Sequence, residues 1–421
     1  MESTAYLPRR GGFFSAIVSL DVEGLRFCSL MAAIAVYALR GSPTPDNPGW
    51  PEIMTGLLLL AAVGIKGGVR ALTISSSAPM NLWQIGGKLF LLYGLSVPLI
   101  VGAMAGHGTG QMLRDLLPFA FFLMPVFLAQ NFERRPEYGR YLLFIAIVLG
   151  FIFALRALLP FYPFSFLNVG IFPISDELFY FANAPTVFLA ALMLLGLSGK
   201  TIMEATGAKD IIRATILFGL SLLPLLAMAA SEQRAGVGAC VLYAAMLTLL
   251  ALWRSPARAA RLLIAILLVV SAAFPVFMDA AEILGRKTSM VGLNMRDQEA
   301  RAVWDAVSGT GNPAHILFGL GWGGGFHSPA VGGVYVNFTH SLLTSMLLKT
   351  GLVGVFLVCT YLAGLLNLLT GLLFRQPLVA MALLAPFLVD IFLYASFKSL
   401  DFGLVLLLIP VYRIYINSQK P

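Results

Sequence analysis

The chain has 421 residues, of which 59% are hydrophobic and 11% charged, with 28 Lys and Arg against 20 Asp and Glu for a net charge of +8. Soluble chains carry charged residues near ~25%, so this composition excludes an ordinary soluble enzyme and reads as an integral membrane protein. In so apolar a chain the basic excess belongs to loops held at an anionic membrane surface, which argues against nucleic acid as a partner and for membrane lipid. Cys28, Cys240 and Cys359 each sit inside an apolar run without paired or C-x-x-C spacing, so neither a disulfide framework nor a thiolate metal site is expected.

Crossing ~30 Å of hydrocarbon as helix takes ~20 residues. Twelve apolar stretches qualify as candidates: 25–40, 51–67, 83–104, 113–131, 141–160, 181–198, 211–230, 235–253, 260–278, 351–373, 377–395 and 400–416. Ahead of them, Arg9-Arg10 superficially resembles a twin-arginine export signal, but Asp21 and Glu23 interrupt the apolar run and no small-residue cleavage site follows. Residues 12–23 therefore read as an interfacial segment. With the N-terminus cytoplasmic, the loops on that side hold Arg70, then Arg134, Arg135 and Arg140, then Lys200 and Lys209, then Arg254, Arg258 and Arg261, then Arg375. The opposite short loops, 41–50, 105–112 and 161–180, hold no Lys or Arg, as the positive-inside rule requires. Trp50, Trp83 and Trp253 fall at span ends, where an amphipathic indole prefers the interface.

The expectation is an all-α polytopic membrane protein with about twelve transmembrane helices, both termini cytoplasmic. It divides into 1–278 with spans one to nine, a large loop 279–350 on the far side, and 351–421 with the last three spans. A loop this much longer than ~12–15 residues is functional or disordered, and Trp304, Trp322, Tyr335 and Phe338 within it argue for order.

Candidate chemistry lies on that far face. Arg234, in a short turn after Ser231-Glu232-Gln233, puts a guanidinium near headgroup level, where it meets phosphate, snorkels to lipid or pairs with Glu232. Arg296 and Arg301 lie on one short helix, about 140° apart, so one faces a site and the other solvent or a salt bridge. Arg286 and Lys287 read as a juxtamembrane pair. His340 opens a helical segment at the mouth of a span, placed as a general base or as a satisfied interfacial histidine. Asp297 and Glu299 diverge by about 200° on a helix and form no chelate, and His107, His315 and His327 lack metal-ligand spacing, so no metal and no cofactor is expected. Gly319 to Gly325 either cradles phosphate with backbone N–H groups or lets backbone pass close to the membrane surface or a glycan; no Lys-Ser/Thr follows to make a nucleotide loop. Arg156 and Asp390 are intramembrane ionisable residues, functional candidates by default unless they pair across helices.

Ser231-x-x-Arg234, Arg296-x-x-Glu299, Asn312-Pro313 leading into Phe318-Gly319-Leu320-Gly321-Trp322-Gly323, and His340-Ser341 with nine residues to Gly351-x-x-Gly354 resemble, in order and spacing, the bacterial O-antigen ligase and polymerase superfamily. The motif region covers residues 231–373, and one large loop before the last three spans fits the whole chain. The resemblance implies a GT-C-like, metal-independent, inverting glycosyltransferase of the bacterial inner membrane with a periplasmic active site. Its donor is a glycan on undecaprenyl diphosphate, and its acceptor is lipid A-core in a ligase or the growing glycan in a polymerase. By match, Arg234 and Arg296 hold the diphosphate and His340 activates the acceptor or assists the leaving group. Arg301, Arg156, Gly321 and Trp322 are further candidate substrate contacts. The element after His340 is similar to that of the ligases, and paired arginine loops of the polymerases are not found. A lipid-linked glycan transporter, the reading from another class, calls for repeat-related halves and charges along a central pathway.

Overall fold

A computed structural model of the chain describes residues 21–42, 49–74, 80–160, 176–231, 233–272, 295–392 and 395–419. The interfacial segment up to residue 20, most of loops 41–50 and 161–180, Glu232, the end of the ninth stretch, and Arg286 with Lys287 lie outside the described residues.

Each apolar stretch carries helix. In chain order these are α1 (Val22–Arg40), α2 (Trp50–Leu72), α3 (Leu82–Gly94), α4 (Val97–Met104), α5 (Thr109–Phe122), α6 (Met124–Leu128), α7 (Tyr138–Leu158), α8 (Pro185–Met203), α9 (Ala208–Ala230), α10 (Arg234–Arg254) and α11 (Pro256–Ala272). After them come α12 (Arg296–Ser308), α13 (Pro313–Phe318), a hairpin of β1 (Phe326–Ser328) and β2 (Val334–Val336), then α14 (Leu342–Leu373), α15 (Pro377–Phe392) and α16 (Leu400–Ser418). The molecule is a helical, multi-pass membrane protein. Among the described residues nine helices are long and apolar enough to cross a membrane, with α3 and α4 taken together as one, or ten if the pair bent by 58° after Phe122 is one span. In the other two of the twelve expected stretches the described residues hold 17 residues of α11 and 16 of α15, each helix running up to the limit of the description.

Proline explains the breaks. Pro98 lacks the N–H that would bond the carbonyl of Gly94, so the third stretch divides into α3 and α4 around Leu95 and Ser96. Pro125 likewise falls four residues after Phe121 and just past the bend that separates α5 from α6. The tenth stretch differs from expectation in the other direction: α14 starts at Leu342, not 351, and is interrupted at Gly351, whose φ of +65° only glycine adopts without strain.

The core surrounds α16, buried from Leu400 to Tyr412 and packed on α5, α6, α7, α8, α14 and α15. Around it α2, α10 and α11 turn large apolar side chains outward, with Ile65 and Trp253 each 88% exposed, the surface a lipid solvent selects. Trp83 lies at the start of its span, one residue into α3, and is buried where α3 packs on α14.

Polar contacts sort the helix ends into two sets. At one end Asp21 and Glu23 at the start of α1 bind Arg135 and Arg134 at 2.6 and 2.5 Å, Arg261 reaches the carbonyls after α8, and Arg375 reaches Asn417 near the end of α16. At the other, Arg156 holds the end of α1, Gln233 before α10 bonds Asn183 before α8, Thr186 bonds Asp401, and Ser341 donates to the carbonyl of Ile391. We call these the terminal end and the loop end.

Candidate functional site

The loop-end segment 295–341 builds a small core of its own. Val303 and Val307 on one face of α12 pack with Phe326 of β1 and Leu348 of α14. One turn before Val303, on that same face, stands Glu299. Docking α12 on α14 therefore drives this carboxylate to the start of α14, where its side chain is 2% exposed.

There it is fully engaged. Its Oε1 lies 3.0 Å from His340 Nδ1 and accepts from Ser328 Oγ at 3.0 Å, and its Oε2 accepts from the His340 backbone N–H at 3.0 Å. Burial raises the carboxyl, but the hydrogen bonds from the His340 ring and backbone and from Ser328 outweigh it and hold Glu299 below its ordinary range. An ionised carboxylate only accepts, so Nδ1 is the donor of this pair, and in the neutral ring the lone pair then falls on Nε2. The imidazole is 32% exposed, with the Phe338 ring edge-on at 6.0 Å. A ring held at Nδ1 by a carboxylate, with no partner for Nε2 among the described residues, is the arrangement of a general base and its orienting group.

Arg296 and Arg301 separate as their spacing requires. Arg296, three residues before Glu299, shares its face and is half-buried, whereas Arg301 is exposed. Asp297 is exposed and points away from Glu299, and the described residues hold no cluster that could bind a metal ion. Arg234 is the first residue of α10, half-buried, directly after Gln233 at the loop end.

Gly321 and Trp322 lie inside the bundle, which corrects the expectation of a surface passage. The Trp322 indole N–H donates to the Gly94 carbonyl left open by Pro98, at 2.7 Å, and its backbone N–H donates to Pro98 at 3.0 Å. Gly321, at φ +78°, lies so close to α4 that a Cβ would come within 2.2 Å of the Gly102 nitrogen. Arg156 is equally internal: it donates to the carbonyls of Ala38 and Gly41 at 2.8 Å each, over the Phe181 ring, and so caps α1. Asp390 is buried in α15. The remaining histidines are bound locally, His107 to the Trp322 carbonyl, His315 to Thr310 and His327 to Gly333.

Sequence reasoning missed a second polar group beside the first. Lys349 of α14 pairs with Asp115 of α5 at 2.6 Å in the interior, and the same oxygen of Asp115 accepts from the Gly323 N–H at 2.7 Å. A cleft over this pair is lined by Trp322, Ser345, Met346 and Lys398 among others. The available signal was Lys349 itself, a lysine in an apolar helix. Compared with family models and with curated proteins, the chain matches none.

Proposed function

We propose that this protein is a metal-independent, inverting glycosyltransferase of the bacterial inner membrane, with the loop end periplasmic and about twelve spans. It moves a glycan from undecaprenyl diphosphate onto lipid A-core. The observation that carries this reading is the Glu299–His340 pair, in which a buried carboxylate engages Nδ1 and so orients the ring. In the reaction His340 Nε2 takes the proton of an acceptor hydroxyl while that oxygen attacks the anomeric carbon. The bond to the diphosphate breaks on the opposite face, inverting the centre, and Glu299 stabilises the imidazolium formed. Arg234 and Arg296 neutralise the departing diphosphate, the work a metal ion would otherwise do. That Glu299, His340, Arg296 and Arg234 all lie at the loop end supports an enzyme over a transporter, whose functional charges would line a path through the bundle.

The test is transfer in proteoliposomes with undecaprenyl-diphosphate-linked glycan, EDTA, and lipid A-core present or omitted, for wild type, Arg234→Ala and His340→Ala. Product on lipid A-core, lost in both variants, is the expected result. Longer carrier-linked chains made without lipid A-core would reassign the protein as a polymerase. No product under either condition, with the carrier still bound, would turn the reading to transport.

A further inference from the structure

Among the described residues Lys398 has no counter-ion of its own. It lies in the short connection between α15 and α16, half-buried, with its Nζ 5.6 Å from the centre of the Phe338 ring and 6.0 Å from that of Phe397. Among the described residues no carboxylate lies within ion-pair distance of it and no hydrogen bond reaches it. Two aromatic faces offset part of a cation's lost hydration but leave its hydrogen-bond donors unused.

The groups facing it do not cancel its charge. From α5 come Asp115 and Arg114, from α14 Lys349, and from α12 Glu299. Asp115 is taken up by Lys349 and Gly323, and Glu299 by His340 and Ser328. The cleft is thus net positive: Lys398, Lys349 and Trp322 line it together with Ser345 and Met346 from the first turns of α14. Phe338 touches both Lys398 and His340, which places the cleft beside the candidate base.

We propose that this cleft is a phosphate site in which Lys398 binds the diphosphate of a lipid-linked donor. The inference rests on the transferase reading and adds to it a third cation, on an element far in sequence from both arginines. Nζ donates to a phosphate oxygen while the apolar walls formed by Trp322 and Met346 exclude water, so the contact is worth more than at an open surface. Burial pushes the Lys398 ammonium down to about 8, so the free site loses its charge between pH 7 and 9.

The test measures binding first, with glycan transfer as a second readout. Wild type, Lys398→Gln and Lys398→Arg in phosphatidylcholine nanodiscs are titrated with inorganic pyrophosphate, undecaprenyl diphosphate and, for comparison, phosphatidylglycerol. Lys398→Gln should weaken the first two by about tenfold while Lys398→Arg stays within about threefold of wild type. Wild-type binding should weaken roughly tenfold from pH 7 to 9, and Lys398→Arg binding should not. Unchanged affinity in a Lys398→Gln protein of wild-type melting temperature overturns the inference, as does equal Lys398-dependent binding of phosphatidylglycerol. Lys398-dependent carrier binding without glycan transfer would keep the site and remove the transferase. Full transfer by Lys398→Gln would do the reverse.

Discussion

Glu299 does three jobs with two oxygens: it fixes a tautomer, bonds the backbone at the start of α14 and anchors Ser328 of the hairpin. Replacing it by Gln keeps the shape but removes the charge and lets the ring choose its tautomer. Turnover of Glu299→Gln should fall by about 10²-fold or more with little change in KM, measured in the transfer assay. The same residue sets a pH dependence of stability. Its folded carboxyl titrates below the unfolded value of ~4.3, so its contribution of about 1–3 kcal/mol is complete above that value and is lost as pH falls through the folded one. Melting scans from pH 6 to 3 should show this loss in wild type and not in Glu299→Gln; parallel curves would refute the assignment.

At the scale of elements, the start of α14 is set by chain crossing. Gly351 takes φ +65° because the Leu317 carbonyl and the Gly319 nitrogen pass against it, and a Cβ there would lie 2.4 Å from Leu317. Gly351→Ala should therefore lower stability by about 2–3 kcal/mol, seen as a reduced melting temperature, with His340 displaced and activity lost. An active Gly351→Ala protein of normal stability would show that the crossing is not needed. The same crossing explains what local pattern conveyed and what it did not. Long runs such as 141–160 are legible because burial and lipid select the same side chains. The first turns of α14 read as helix but not as part of the span because Lys349, Thr350 and Gly351 interrupt the apolar run, and Lys349 is accommodated by Asp115, 234 residues away, and by the Gly324 carbonyl. Arg296 was separable from Arg301 by helical phase alone, but that Glu299 meets His340 depends on how α12 docks, which no spacing encodes. The Gly319–Gly325 stretch reads as loop by composition because most of its N–H groups donate to backbone carbonyls, which leave no mark on the pattern.

Across the whole molecule the two sets of end contacts make orientation testable. Arg301 at the loop end and Gln419 at the terminal end are both exposed. In a protein lacking Cys28, Cys240 and Cys359, Arg301→Cys should react with an impermeant maleimide added outside spheroplasts, and Gln419→Cys only after lysis. Labelling of both from one side would contradict the proposed topology. The bolt formed by Trp322 bears on how such a molecule comes to exist. Its indole closes a bond to Gly94 across 228 residues of chain. A nascent polypeptide places α3 and α4 in the bilayer long before residue 322 has been synthesised. Until then the Gly94 carbonyl, freed by Pro98, sits at a helix break in hydrocarbon without the donor that completes it. The first spans are thus held in an unfinished state by their own proline, and maturation waits on a stretch between later helices that must turn back and insert between helices already in place.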